Sequence, residues 1–106
     1  MLDPDVVWRG VPPDAVCHDR GEVLDVLSEQ VARGLPRADA LELVAGDGAV
    51  VLGVRSDQLD QIGDHPLRGQ LFNVFRLADG RITEITDHAH RRQALDAADA
   101  TPPRWA

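Results

Sequence analysis

Lysine and tyrosine are both missing from this chain of 106 residues, and cysteine occurs once. Every basic side chain is therefore an arginine, and 11 basic against 18 acidic residues leave a formal net charge of −7. An acidic chain without a basic cluster lacks the positive footprint that nucleic-acid phosphates require, so nucleic acid is excluded as a partner. Arg91-Arg92 is the one adjacent basic pair, and it reads as the solvated start of a helix. Cys17, standing alone, cannot close an intramolecular disulfide, which fits a reducing compartment and a cytoplasmic location. Although His18 follows it, nothing nearby supports an oxyanion site, so an inert, semi-buried thiol is expected. No apolar run approaches the roughly 20 residues needed to cross a bilayer. Met1-Leu-Asp-Pro-Asp has neither the basic nor the apolar region of a signal peptide. A membrane is excluded as well.

The length suits one domain with a single core, read as residues 1–100 with a tail over 101–106. Val6-Val7-Trp8 is β-branched and aromatic, a short first strand. Asp19 is a good N-cap for a helix from about Arg20 to Gly34, whose Val23, Val26, Leu27, Gln30 and Val31 recur at three- and four-residue spacing. Four longer strand regions follow. Ala38–Ala45 and Ala49–Arg55 flank the turn Gly46-Asp47-Gly48, and the second is so apolar that burial on both faces is expected. After a polar loop over Ser56–Gly69, Gln70–Leu77 and Arg81–His88 form a hairpin closed by Ala78-Asp79-Gly80. Ala89–Ala100 reads as a second helix.

That closing hairpin carries the most information. It sets an amide and a carboxylate, Asn73 and Asp87, on a face that is otherwise apolar. Two convergent polar groups among hydrophobic residues suggest a pocket rather than a plain core.

Asp5-Val-Val-Trp-Arg-Gly early and Phe72-Asn-Val-Phe-Arg-Leu-Ala-Asp-Gly-Arg-Ile-Thr-Glu-Ile-Thr-Asp-His late resemble the nuclear-transport-factor-2-like superfamily. The closest look is its SnoaL-like branch of polyketide cyclases, over roughly residues 3 to 98. The resemblance implies an α+β, cone-like fold with a strongly curved antiparallel sheet packed on helices and a cavity inside the concave face. In the ketosteroid isomerase pattern, Asn73 falls where that enzyme holds a protonated carboxylic acid. Leu71, Asn73, Phe75 and Leu77 would then face the cavity, with Ile85, Asp87 and Ala89 in phase on the last strand. Strand alternation adds Trp8, Val50, Leu52 and Val54 to the ligand-binding set. The opposite phase, with Val51, Phe72 and Val74, would form a homodimer interface on the convex face.

Asp87 is the catalytic candidate. Desolvation between Ile85, Phe75 and Trp8 would raise its pKa toward a range useful for proton transfer, and SnoaL-like cyclases are thought to use a late-strand Asp in this way. The plainer readings are a cap on the last helix or a pair with an arginine. Asn73 could donate to an enolate or carbonyl oxygen, or be an ordinary buried amide. His88 and His90 lie two apart but have no third ligand, so no metal and no cofactor is expected.

Departures from the family pattern narrow the chemistry. The position of the isomerase general base falls at Gly10, and no phenolic oxyanion donor exists without tyrosine. Arg76 has the wrong phase to reach Asp87, and His90 stands where relatives often carry Asp. Relatives also place helices ahead of the first strand that roof the cone, and Met1 here lies three or four residues before it, so the expectation is either a start placed late or a more open cone. The leading expectation is a domain that binds a small apolar or aromatic molecule in a concave cavity, with isomerase- or cyclase-like proton transfer through Asp87. The alternative is a non-catalytic dimeric interaction module of the same fold.

Overall fold

The computed structural model describes residues 1–34, 38–57, 59, 61–62 and 65–100. In chain order the elements are β1 (Leu2–Arg9), β2 (Val16–Cys17), α1 (Arg20–Arg33), β3 (Ala40–Ala45) and β4 (Ala49–Arg55). The short β5 (Gln61–Ile62) and β6 (His65–Pro66) follow, then β7 (Gln70–Ala78), β8 (Arg81–His88) and α2 (Arg91–Ala98). The tail expected over 101–106 falls outside the described residues.

Six strands form one sheet in the order β2-β1-β8-β7-β4-β3, and β5 pairs with β6 by itself within the expected loop. The α+β class read from the sequence holds, with one difference in strand direction. β1 lies parallel to β8 while its other pairings run antiparallel, so the sheet is mixed. The first strand begins at Leu2, ahead of the expected Val6, with an irregularity between Leu2 and Val7.

Local chemistry sets the ends of the elements. The Asp19 carboxylate accepts from the Glu22 N–H at 2.9 Å, and Glu22 reaches back to the His18 N–H at 2.9 Å. Two otherwise orphaned donors at the start of α1 are thereby satisfied. Gly34, at φ 86°, ends the helix by donating its N–H to the Val31 carbonyl. The β7–β8 turn places Asp79 and Gly80 at φ 53° and 75°, the left-handed pair that a tight hairpin demands.

Each face of the sheet carries a helix. On one face α2 lays Ala94, Leu95 and Ala98 over Val44, Val51, Phe72 and Val74. On the other, α1 sets Val23 against Val6 and Ile85, with Trp8, Phe75 and Ile82 packed around them. Arg91, at the first turn of α2, ties that helix to β3 by a bidentate pair with Glu42, at 2.8 and 2.9 Å.

This arrangement corrects two expectations. Val51, Phe72 and Val74 are at most 1% exposed, so the homodimer interface expected through them is not available: α2 of the same chain already covers that face. Nor is β4 buried on both sides. Ala49 and Val51 are buried, while Val50, Leu52 and Val54, which face away from α2, are only partly buried.

Candidate functional site

Pairing register brings the candidate residues together. Asn73 on β7 lies directly opposite Asp87 on β8, and Trp8 on β1 lies opposite Ile85, with Phe75 across from Ile85 on the far side. Residues opposite each other, or two apart along a strand, share a face. Trp8, Asn73, Phe75, Ile85 and Asp87 therefore all look toward α1.

Asp87 is the hub of this face. The Trp8 indole N–H donates to its Oδ1 at 2.9 Å, and the Asn73 side-chain amide donates to the same oxygen at 2.6 Å. The other oxygen, Oδ2, accepts from no described residue. Burial pushes the Asp87 carboxyl up from its ordinary value, against the pull of the Trp8 and Asn73 hydrogen bonds, which favour the charged form. Neither plainer reading describes it: His90 is the N-cap residue of α2, and Asp87 forms no ion pair among the described residues.

Three concavities meet at Asp87. One of about 410 Å³ lies between α1 and the β7–β8 face, walled by Trp8, Leu27, Gln30, Leu71, Phe75 and Ile85. A second, about 350 Å³, lies on the other side of Trp8 against Val11, Pro12, Val16, Cys17 and Val26. Both share Trp8, Gln30 and Asp87. The third, about 470 Å³, is more polar and is lined by Arg68, His88, His90 and Gln93.

Of the remaining candidates, Val50, Leu52 and Val54 share the face but do not line these cavities; they continue it toward the open β3 edge. β8 ends at His88, and His90 belongs to the start of α2, so the two do not stand on one strand face as a metal pair would. Burial depresses the His88 pKa and favours the neutral ring, whose Nε2 lies 3.2 Å from Thr86 Oγ1. The Cys17 thiol is raised first by burial and then by Glu22, Asp19 and Asp87, which keeps it protonated and unreactive. At Gly10 an added Cβ would fall 2.9 Å from Ala15 Cβ, and the Gly10 N–H closes the turn on the Ala15 carbonyl at 2.7 Å. Close approach of the chain explains the glycine there.

Ile82 and Gln30 are among the cavity residues that escaped the sequence reading, as is Leu2. Ile82 breaks the alternation set by Ile85 and Asp87, because a bulge between the Arg76–Glu84 and Leu77–Ile82 pairs shifts the phase. Gln30 was visible as the one amide in the apolar stripe of α1, and that interruption was the available signal.

A scan against protein-family models finds no match, and a search of the curated proteins finds none. Solved structures do match. A candidate polyketide cyclase from Sinorhizobium meliloti superposes with a TM-score of 0.59 at 17% identity, covering 83% of this chain and 75% of that one. A candidate SnoaL-like polyketide cyclase from Jannaschia gives 0.57 at 18% identity, over 97% of this chain and 76% of the other. A nuclear-transport-factor-2-like protein of unknown function from Cytophaga hutchinsonii gives 0.56 at 12%, over 81% and 76%. At such identities the likeness is one of fold. This chain carries the nuclear-transport-factor-2-like fold, in the form also seen in SnoaL-like proteins.

Proposed function

We propose that the chain binds a small, largely apolar molecule bearing one oxygen function in the cavity between α1 and the β7–β8 face, and that Asp87 exchanges a proton with it. The observation that carries this reading is the double donation to Asp87 Oδ1 from Trp8 and Asn73. Two N–H groups on one oxygen fix the carboxyl plane and leave Oδ2 as the atom free to take or give a proton. Burial holds the pKa up, so the group is a better base than an exposed aspartate. The aromatic and aliphatic walls supply binding without charge.

Asp87 as base would draw a proton from a carbon beside a carbonyl, and as acid would return it one position along, an isomerase- or cyclase-like transfer. The developing oxyanion needs a donor. Asn73 already spends one amide hydrogen on Asp87, so Gln30, facing across the cavity from α1, is the better-placed amide for that role. The lone Cys17 fits a cytoplasmic setting for this activity.

The reading is tested by titrating a panel of small cyclic ketones and phenols while following tryptophan fluorescence, with Trp8→Phe as the reference. Saturable quenching that is lost in Trp8→Phe supports it. No saturable response to any member counts against it. The reading as an interaction module has its own support in the uncovered leucines of β3, Leu41 and Leu43, which are 66% and 72% exposed.

A further inference from the structure

Two apolar cavities, not one, open on Asp87. The lobe toward β2, about 350 Å³, is walled by Val11, Pro12, Val16 and Val26. The lobe toward β7, about 410 Å³, is walled by Leu27, Leu71, Phe75 and Ile85. Trp8, Gln30 and Asp87 border both. The phase of α1 accounts for this sharing. Val26 and Leu27 are neighbours in sequence, so they point about 100° apart around the helix, one into each lobe. Gln30 lies four residues after the first and three after the second, which sets it on the face between them.

Polar chemistry is concentrated where the lobes meet. Asn73 borders the β7 lobe, but its amide is bound to Asp87 and so belongs to the junction. Beyond the junction the β2 lobe has only the Cys17 thiol and the exposed Asp14, and no basic side chain borders either lobe among the described residues. Each lobe exceeds the roughly 150 Å³ that takes a benzene ring. Each alone sits at the low end of the range for ligand sites, about 300–1,000 Å³. A ligand confined to one lobe would leave the other as wetted apolar wall, surface that a second arm would remove from water. The third concavity borders neither Trp8 nor Gln30 and takes no part.

We propose that the ligand is an internal ketone with two apolar arms, one in each lobe, its carbonyl at the junction between Asp87 and Gln30. The proposal deepens the ligand reading above and rests on it. An internal ketone carries its exchangeable C–H on the carbon where an arm begins, so that proton lies at the junction with Asp87. A phenol or a terminal aldehyde, whose oxygen ends the molecule, would place that oxygen at the junction and fill a single lobe. A carboxylate on either arm would meet no basic partner, and in the β2 lobe it would face the like charge of Asp14.

The test is isothermal titration calorimetry with two matched probes: benzylacetone, with one phenethyl arm on its carbonyl, and diphenethyl ketone, with two. Wild type is compared with Val26→Phe and Leu71→Trp, folding is verified by circular dichroism, and Ala15→Leu and Leu71→Phe serve as milder replacements. Val26, Ala15 and Leu71 each border one lobe only, so each substitution fills one. Diphenethyl ketone is expected to bind wild type more tightly than benzylacetone and to lose about tenfold or more in each variant, the worth of one buried ring. Benzylacetone, which needs a single lobe, should bind at least one variant within about twofold of wild type. The inference is overturned if only one substitution, or neither, weakens diphenethyl ketone; saturable binding of benzylacetone would then leave the single-cavity reading standing. A loss of benzylacetone binding in both variants overturns it too, because the lobes would then act as one space. No saturable heat from either ketone removes the inference together with the reading on which it rests.

Discussion

The Trp8 indole and the Asp87 carboxylate, far apart in sequence, are joined by a hydrogen bond of 2.9 Å that ties the first strand to the last. It satisfies the one polar atom of a tryptophan set in an apolar wall and draws on the charged form of its partner. Trp8→Phe is therefore expected to move the Asp87 pKa further up, since a contact that lowers it is removed. Loss of a hydrogen bond to a charged group should also cost about 1.5–3 kcal/mol, read from urea unfolding.

Asp87→Asn keeps the shape and removes the charge. The folded pKa of Asp87 is raised, so wild-type stability from this group is fully present below the ordinary aspartate range and is lost as pH rises through the folded pKa. Melting temperatures should then show the variant gaining on the wild type as pH climbs to neutrality, with the gap closing in acid. Proton transfer on a true substrate should vanish in the same variant.

His88 acts with the opposite sign. Its pKa is lowered by burial, so folding is weakened as pH falls below the ordinary histidine value of about 6.5. His88→Gln should flatten the melting profile between neutral and mildly acidic pH.

The face beneath α2 is core. Val74→Asp is expected to unfold the chain rather than dissociate an oligomer, because Val74 is fully buried against Ala94, Leu95 and Ala98 in the single chain. Phe72→Ala should cost about 3–5 kcal/mol. A folded monomer from Val74→Asp, seen by circular dichroism and light scattering, would contradict this packing.

Gly46, in the β3–β4 turn, has no room for a side chain. An added Cβ would sit 2.2 Å from the Ala98 carbonyl oxygen at the end of α2. Gly46→Ala should push α2 off the turn and cost about 1–3 kcal/mol, whereas Gly80→Ala, with nothing within 4 Å, carries only the backbone cost of φ 75°.

Local signals made much of this legible from the chain alone. The Asp19 cap, the Gly46-Asp47-Gly48 and Asp79-Gly80 turns and the alternation around Asn73 and Asp87 each depend on a few neighbouring residues, and the elements lie where they indicate. What could not be read is what depends on partners remote in sequence. The parallel run of β1 beside β8 joins strands from opposite ends of the chain, and the phase of Ile82 is set by a bulge that leaves no mark in composition. The face covered by α2 was misjudged for the same reason. Its apolar pattern shows that Phe72 and Val74 need covering, and only the docking of Ala94 and Ala98 shows what covers them.

The most direct test of the account is a carboxyl-detected NMR titration of Asp87 in the folded protein, assigned with Asp87→Asn. A pKa above the ordinary 3.8 is expected, rising again in Trp8→Phe. A value at or below 3.8, unmoved by that substitution, would mean that Asp87 is an ordinary solvated carboxylate and not the proton-handling group of a cavity.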